Sequence, residues 1–504
     1  MCIGASIDLA QKRGVPLVAC TTQDNDATAN TIVEKILANG SPRPQVVWDI
    51  TRGFTSHTGS PSGAKLLKHF ELEGKCRNPL EMLATAERDF PDHCLVMAYN
   101  MQFTFENKAV IQALQNLRGP FKATNRCLAM LGDDFSDMPE SLRMHVMGGE
   151  QFSDSRATPE HLEKLVDTLY EGMTMSYPEA KMPTDAHRSE VVAAARGLPV
   201  FQAEQAFAMS FTQDTLAMSP SVVQRHRNAM INSVPGLEVY MSEEDFSCIG
   251  GCSGVKGDFA KREGGPAKPD LYFWLDEIEK SGLANTGDTS GVNKDQLGTA
   301  LKLIEDYGWQ GVVFLGIPGV AKSQFAKCLH GQFGTQVLAG DLSACKHELV
   351  GRSERNIRRL FNTAHSVGGE KVTVILTANS IEALDDALKS RFPTIYYFEL
   401  PTVSARAQIW DIWKARYGID ETHQDVDDSG FSGRNIKQTC MRAWSMGLTL
   451  KEASRVIVPE SVSSRESMEK LQAQADGRMI SAEHGDVYTL SRDNHETRSL
   501  SMEN

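Results

Sequence analysis

Short apolar runs alternate with amphipathic stretches through the first third of the chain. Residues 15–20, 46–48, 94–98 and 127–131 are apolar runs of strand length, and 109–117 repeats its apolar positions at helical spacing. Unbroken apolar runs mark strands buried on both faces. Their alternation with helices predicts an α/β region, a parallel sheet covered by helices.

From about 145 to 240 the strand-like runs give way to amphipathic segments such as 159–169 and 190–195, which predict a helical subdomain. The Gly/Pro-rich stretch 264–269 precedes a second α/β region that runs to about 400. Beyond it, Ile409, Ile412 and Trp413 recur at helical spacing and predict a helical cap, while the last twenty residues are polar and expected to be loose. The divisions expected are 1–145, 146–240, 241–400, 401–455 and a tail, 456–504.

The strongest chemical signal is GVVFLGIPGVAKS at 311–323. The apolar run 312–315 enters a loop, Gly316, Ile317, Pro318, Gly319, Val320, Ala321, and the amphipathic stretch 324–329 follows Lys322 and Ser323. Glycines let backbone N–H groups turn toward phosphate oxygens, and the start of a helix adds the positive end of its dipole. Lys322 then places a cation on the β- and γ-phosphates, Ser323 offers a hydroxyl to Mg²⁺, and Gln324 completes the candidate binding loop. The consensus has glycine where Ala321 stands; the expectation is that a methyl group fits at this helix start. A similar spacing at 59–65, GSPSGAK, is followed by Leu66 rather than a hydroxyl and reads as a surface loop.

Residues 271–277, LYFWLDE, are five apolar positions ending in two acids. Asp276 at the end of such a strand suits Mg²⁺ binding, and Glu277 suits polarisation of an attacking water. The alternative is a buried strand ending in solvated acids. Asp276 precedes Lys322 in the chain, although an acidic strand ordinarily follows a phosphate loop. Downstream, 354–364 reads as a helix and 372–376 as a strand, with no Asp-Glu strand between them. We therefore expect the acidic strand to have moved ahead of the phosphate loop with its neighbours in space unchanged. Strand 372–376 should then lie between 271–275 and 312–315.

These motifs resemble those of the AAA family of ATPases. VTVILTAN (372–379) is similar to the sensor strand, which makes Asn379 an orienter of the attacking water. LKSRF (388–392) makes Arg391 the finger that reaches a neighbouring subunit's γ-phosphate, and VGRSERNIRRLF (350–361) resembles the helix after the pore segment. Residues 346–350 would face a central pore, with Leu349 in place of the usual aromatic residue. GFSGRNI (430–436) is similar to the lid motif and offers Arg434 to the nucleotide, or only a cation at a helix start. GxPGxAKS itself resembles the loop of MCM-type helicases and MoxR-type proteins. IGGCSGVK (249–256) is similar to the lead-in to an AAA core. VVWDITRG (46–53), CLVMAYNMQF (94–103), MPESLR (138–143), GLPVFQAEQAFAMS (197–210) and ADGRMISAEHGDVY (475–488) resemble chloroplast, cyanobacterial and phage AAA proteins with a degenerate N-terminal ATPase-like domain. The resemblance implies a P-loop AAA+ core, a parallel sheet with helices on both faces, plus a helical lid. A degenerate ATPase-like α/β domain with its own helical subdomain precedes it.

Composition narrows the function. The 504 residues carry 52 basic and 65 acidic side chains, a net charge of −13, which gives no argument for wholesale nucleic-acid binding. No run approaches the about 18 apolar residues that span a bilayer, and the N-terminus lacks a secretion signal, so a cytoplasmic protein without membrane partners is expected. The ten cysteines are scattered; Cys248 and Cys252 lack a matching second pair and read as free thiols rather than a zinc site. The leading expectation is Mg²⁺-dependent ATP hydrolysis that remodels an unknown protein or nucleoprotein partner, in a homo-oligomeric, hexameric ring. A nucleotide-gated scaffold with little turnover and a DNA-translocating helicase are the alternatives.

Overall fold

Alternate residues of each strand in the N-terminal region go to opposite cores. Leu17, Trp48, Val96, Leu128 and Met130 join one apolar cluster, and Val18, Cys20, Met97, Ala129 and Leu131 join another. A period of two with both faces buried is what produces the unbroken apolar runs of the sequence. The computed structural model describes residues 3–490 apart from 23, 41–42, 136–137, 149–151, 155–156, 178, 213–215, 282–291, 346–351 and 381–390. The chain divides into two compact units, Met1–Arg227 and Asn228–Asn504.

In the first unit the strands are β1 (Leu17–Thr22), β2 (Gln45–Asp49), β3 (Gly53–Ser56), β4 (Leu95–Tyr99), β5 (Cys127–Gly132) and β6 (Ser153–Asp154), in the order β3-β2-β4-β5-β1-β6. All pair in parallel except β3, which returns against β2. Helices Ile3–Lys12 and Asn25–Ala38 feed one core; Pro61–His69, Pro79–Arg88 and Lys108–Ala123 feed the other. Each fully buried Leu, Ile or Phe among them contributes about 1.5–3 kcal/mol. Helices Pro159–Ser176, Asp185–Ala195 and Val200–Ser210 follow, with a short hairpin of β7 (Phe211–Thr212) and β8 (Ala217–Met218). The segment read as a surface loop at 59–65 is instead a helix start: Ser60 caps Pro61–His69 by accepting from the Gly63 N–H.

The second unit holds β9 (Leu237–Tyr240), β10 (Leu271–Leu275), β11 (Gln310–Leu315), β12 (Gln336–Gly340), β13 (Val372–Ala378), β14 (Thr394–Tyr397) and β15 (Ile480–Ser481). Their order is β15-β14-β11-β13-β10-β12-β9, parallel except for β9. β13 therefore separates β10 from β11, the position expected for it from the sequence. With strands about 4.8 Å apart, the carboxyl ends of β10 and β11 emerge about 10 Å from one another.

Two edge strands were not expected. β9 lies in the stretch read as helical, and β15 lies in the tail. The tail also packs: Leu471, Ala475, Met479, Ala482 and Tyr488 belong to the unit's core. Tyr488, within the stretch expected to be loose, is 3% exposed. Helices Val403–Tyr417 and Gly433–Met446 enclose a small core of their own around Trp410, Ile436 and Cys440. No helix among the described residues is long and apolar enough to cross a membrane.

Candidate active site

β11 delivers the chain into a turn with little room for side chains. At Gly316 an added Cβ would lie 2.4 Å from the Phe398 carbonyl oxygen, and Gly319 has φ +86°. Ile317 and Val320 point into the core and anchor the loop from below. Ala321 has φ +70° and forms the left-handed N-cap of the helix that follows. That conformation costs a residue with a Cβ about 1–2 kcal/mol, which is why glycine is the consensus there. Helix Lys322–Phe333 begins at once, with no side-chain cap and no acid in its first turn. Its leading N–H groups and positive dipole end are left for an anion.

The side chain of Lys322 is 5% exposed and folds back on its own loop. Its ammonium donates to the carbonyl oxygens of Gly316 (2.6 Å) and Ile317 (2.9 Å) and to Asn379 Oδ1 (2.8 Å). Burial pushes this ammonium down to about 8; Glu279, Glu277 and Asp276 oppose the shift and Arg434 adds to it. The lysine is thus near the edge of its charged range in the absence of phosphate.

The reordered acidic strand reaches the loop. Ser323 Oγ donates to Asp276 Oδ1 at 2.7 Å. Thr377 Oγ1, on β13, donates to the same oxygen at 2.7 Å and accepts from the Glu277 N–H, also at 2.7 Å. Glu277 has φ +44°, a left-handed conformation at the turn after β10. Asn379, two residues beyond Thr377 on the same face, donates its backbone N–H to Glu279 Oε1 at 2.9 Å, and its side-chain N–H goes to that oxygen as well. A carboxylate can only accept and an ammonium can only donate, so these partners fix the orientation of the Asn379 amide.

A pocket of about 560 Å³ opens over these groups. Pro318, Gly319, Ala321, Lys322, Ser323, Gln324, Glu277, Asn379 and Arg434 line it. Ile249, Ile409, Trp413 and Tyr417 add apolar and aromatic surface, and the charged Glu244, Arg416 and Lys437 line it too. Lys437 and Arg416 lie 4.9 Å and 5.3 Å from the centre of a Trp413 ring. The start of helix Gly433–Met446 presses directly on the glycine loop: a Cβ at Gly319 would lie 2.8 Å from Ser432 Oγ and 2.9 Å from Arg434 Cβ. Gln324 donates to Glu244 Oε2 at 2.8 Å, and Arg416 reaches Glu244 Oε1 at 2.9 Å. Anion-receptive groups with apolar and aromatic side chains in one pocket match the polarity of a nucleotide.

Arg391 does not line the pocket; it pairs with Glu305 at 3.0 Å. The pore segment 346–350 and the residues 388–390 before Arg391 lie outside the described residues. Sequence reasoning passed over Thr377, Glu279, Glu244, Arg416 and Lys437. Thr377 carried a usable signal, being a polar residue in an apolar strand, two places from Asn379 and so on its face.

The family described as SpoVK-like AAA ATPase, N-terminal domain, matches residues 5–148. The AAA domain-containing protein ycf46 of Trieres chinensis is 22% identical over 493 residues, 86% of this chain and 87% of that protein. The chain is thus similar to AAA proteins along most of its length. Tat-binding homolog 7 of Caenorhabditis elegans is 28% identical over 192 residues, 28% of this chain and only 15% of the worm protein. The ycf46 protein of Gracilaria tenuistipitata var. liui is 26% identical over 195 residues, 28% of this chain and 39% of its own. These last two matches thus span well under two thirds of either relative.

Proposed function

We propose that the second unit binds ATP with Mg²⁺ and hydrolyses it. The observation that carries this reading is the meeting of Lys322, Ser323, Asp276, Glu277 and Asn379, from segments that follow three separate strands, beside one pocket that also carries apolar and aromatic side chains. Those side chains take the base. The loop N–H groups, the helix start and Lys322 take the phosphates, with Arg434 reaching them from the lid.

Ser323 Oγ and Asp276 Oδ1, 2.7 Å apart, are hard oxygen donors of the kind Mg²⁺ selects. That cation keeps most of its shell for water and phosphate, so few protein ligands suffice. When bound, Mg²⁺ supplies positive charge to the β- and γ-phosphate oxygens. Glu277 draws on a proton of the attacking water while Asn379 orients it. The water oxygen bonds to the γ-phosphorus as the bond from that phosphorus to the β–γ bridging oxygen breaks, leaving ADP and phosphate.

We assign Arg391 to a neighbouring copy's γ-phosphate in a homo-oligomeric ring, and the energy released to remodelling of a protein or nucleoprotein partner. The similarity to AAA ATPases and the position of Arg391 away from its own pocket support this. The test is phosphate release from the wild type, Glu277→Gln and Lys322→Ala. Release from the wild type alone is expected; equal release from all three proteins would reject the reading.

A further inference from the structure

Thr377 is wholly buried, and with Thr373 it is one of two threonines in a strand whose other residues are apolar. Its single hydroxyl both donates and accepts. It gives its proton to Asp276 Oδ1 and takes the N–H of Glu277, each at 2.7 Å. The Ser323 hydroxyl arrives at the same Asp276 oxygen from the phosphate loop. One hydroxyl thus ties together the acid placed beside the metal position, the acid placed beside the water, and the residue of the phosphate loop that shares a partner with it.

Glu277 is the second half of the argument. Its backbone sits at φ +44°, where a residue with a side chain stays only if something holds it. The hydrogen bond from its N–H to Thr377 is a restraint of that kind, applied directly at the strained residue. Without it the turn can relax, and the carboxylate would swing away from the line of attack. A misplacement of about 1 Å can cost about a hundredfold in rate.

We infer that Thr377 is a positioning residue for hydrolysis, which sets Asp276 and Glu277 in register with Ser323 and touches neither nucleotide nor water itself. The inference rests on the proposed ATPase reading of the site. It separates Thr377 from Lys322, whose loss removes binding, because the threonine acts only on the acids.

The decisive variants are Thr377→Val, which keeps the shape and removes the hydroxyl, and Thr377→Ser, which restores it in a smaller side chain. Each full-length protein is measured for affinity toward a fluorescent ATP analogue with and without Mg²⁺, for kcat, and for the Mg²⁺ concentration at half-maximal rate. We expect Thr377→Val to hold nucleotide without Mg²⁺ within about threefold of wild type. Its kcat should fall about a hundredfold and its Mg²⁺ requirement should rise. Thr377→Ser should recover most of both. A valine variant with wild-type kcat and Mg²⁺ requirement overturns the inference, and so does a serine variant that fails as the valine variant does while still binding nucleotide. If the wild type binds nucleotide but does not turn it over, the Mg²⁺ enhancement of affinity decides: lost in valine and kept in serine supports the role, kept in both overturns it. A wild type that binds no nucleotide sinks the ATPase reading and this inference together.

Discussion

The two units contain the same five-strand arrangement but give the helix that leaves its fourth strand opposite starts. Set aside the antiparallel edges and β15, and the orders are β2-β4-β5-β1-β6 and β12-β10-β13-β11-β14. Moving β10 to a place between β12 and β13 in the chain makes the two connectivities identical. In the first unit β1 passes almost directly into helix Asn25–Ala38. There the Asp24 carboxylate accepts from the Ala27 N–H at 2.9 Å, and Asp26 adds a second acid to the first turn. Nearby, Asn100 accepts from Asn25, and Gln102 donates to both Asn100 and Asp133. In the second unit β11 passes through the glycine loop into a helix without side-chain cap or acid. A sheet of this order is therefore only a frame: the charge at one helix start decides whether it suits a phosphate.

The contrast breaks most clearly on stoichiometry. One ATP per chain is expected, and Lys322→Ala should weaken its binding by at least about a hundredfold, as loss of a buried charge-assisted contact does. Two bound nucleotides in calorimetry, or one that survives Lys322→Ala, would show the first unit to be a site. Glu277→Gln comes next. Its turnover should fall by about 10²–10⁴ while the nucleotide stays bound, as a general base's loss predicts, read by phosphate release and affinity together.

The pH response follows from Lys322. Without nucleotide its ammonium titrates near 8, and phosphates favour the charged form. Affinity should be level below about pH 8 and fall by up to tenfold per unit above it, since binding there must take up a proton. Lys322→Arg should remove that limb of the profile. Stability of the nucleotide-free chain runs the other way. Its folded value lies below the ordinary value of 10.5, so the unfolded chain binds more protons between about 8 and 10.5 and stability rises with pH across that window.

Two smaller effects sharpen the helix starts themselves. Asp24→Ala should cost the first unit about 1 kcal/mol in denaturant melts, the usual value of an N-cap. It should still leave one nucleotide per chain, because a vacated cap is not a glycine loop. Ala321→Gly should change stability by less than about 1 kcal/mol, relief of the left-handed strain being set against the added freedom of the unfolded chain.

Legibility in the sequence tracked burial and chemistry. β10, β11 and β13 are buried on both faces and written mostly in apolar residues, so their existence and their order in space could be read. β9 and β15 are edges of four and two residues, too short for a period to show. The loop residues 316–324 announced themselves because glycine, lysine and serine were at fixed offsets. Thr377, Glu279 and Glu244 did not, since each acts through a partner about 80 to 100 positions away in the chain. Ala321 was read as harmless because its cost lies in a backbone angle, which composition does not reveal.

The tail strand has a bearing on biosynthesis. Glu483 caps the Cys252 N–H across 231 positions, and its carbonyl oxygen accepts from the Gly254 N–H, just beyond Ile249 and Gly250 at the pocket wall. During translation those early residues wait, with their partner unmade, until position 483 has left the ribosome. The backbone behind Ile249 and Gly250 is thus tied down by almost the last described part of the chain to be synthesised, and a polypeptide stalled or trimmed before that point lacks this tie.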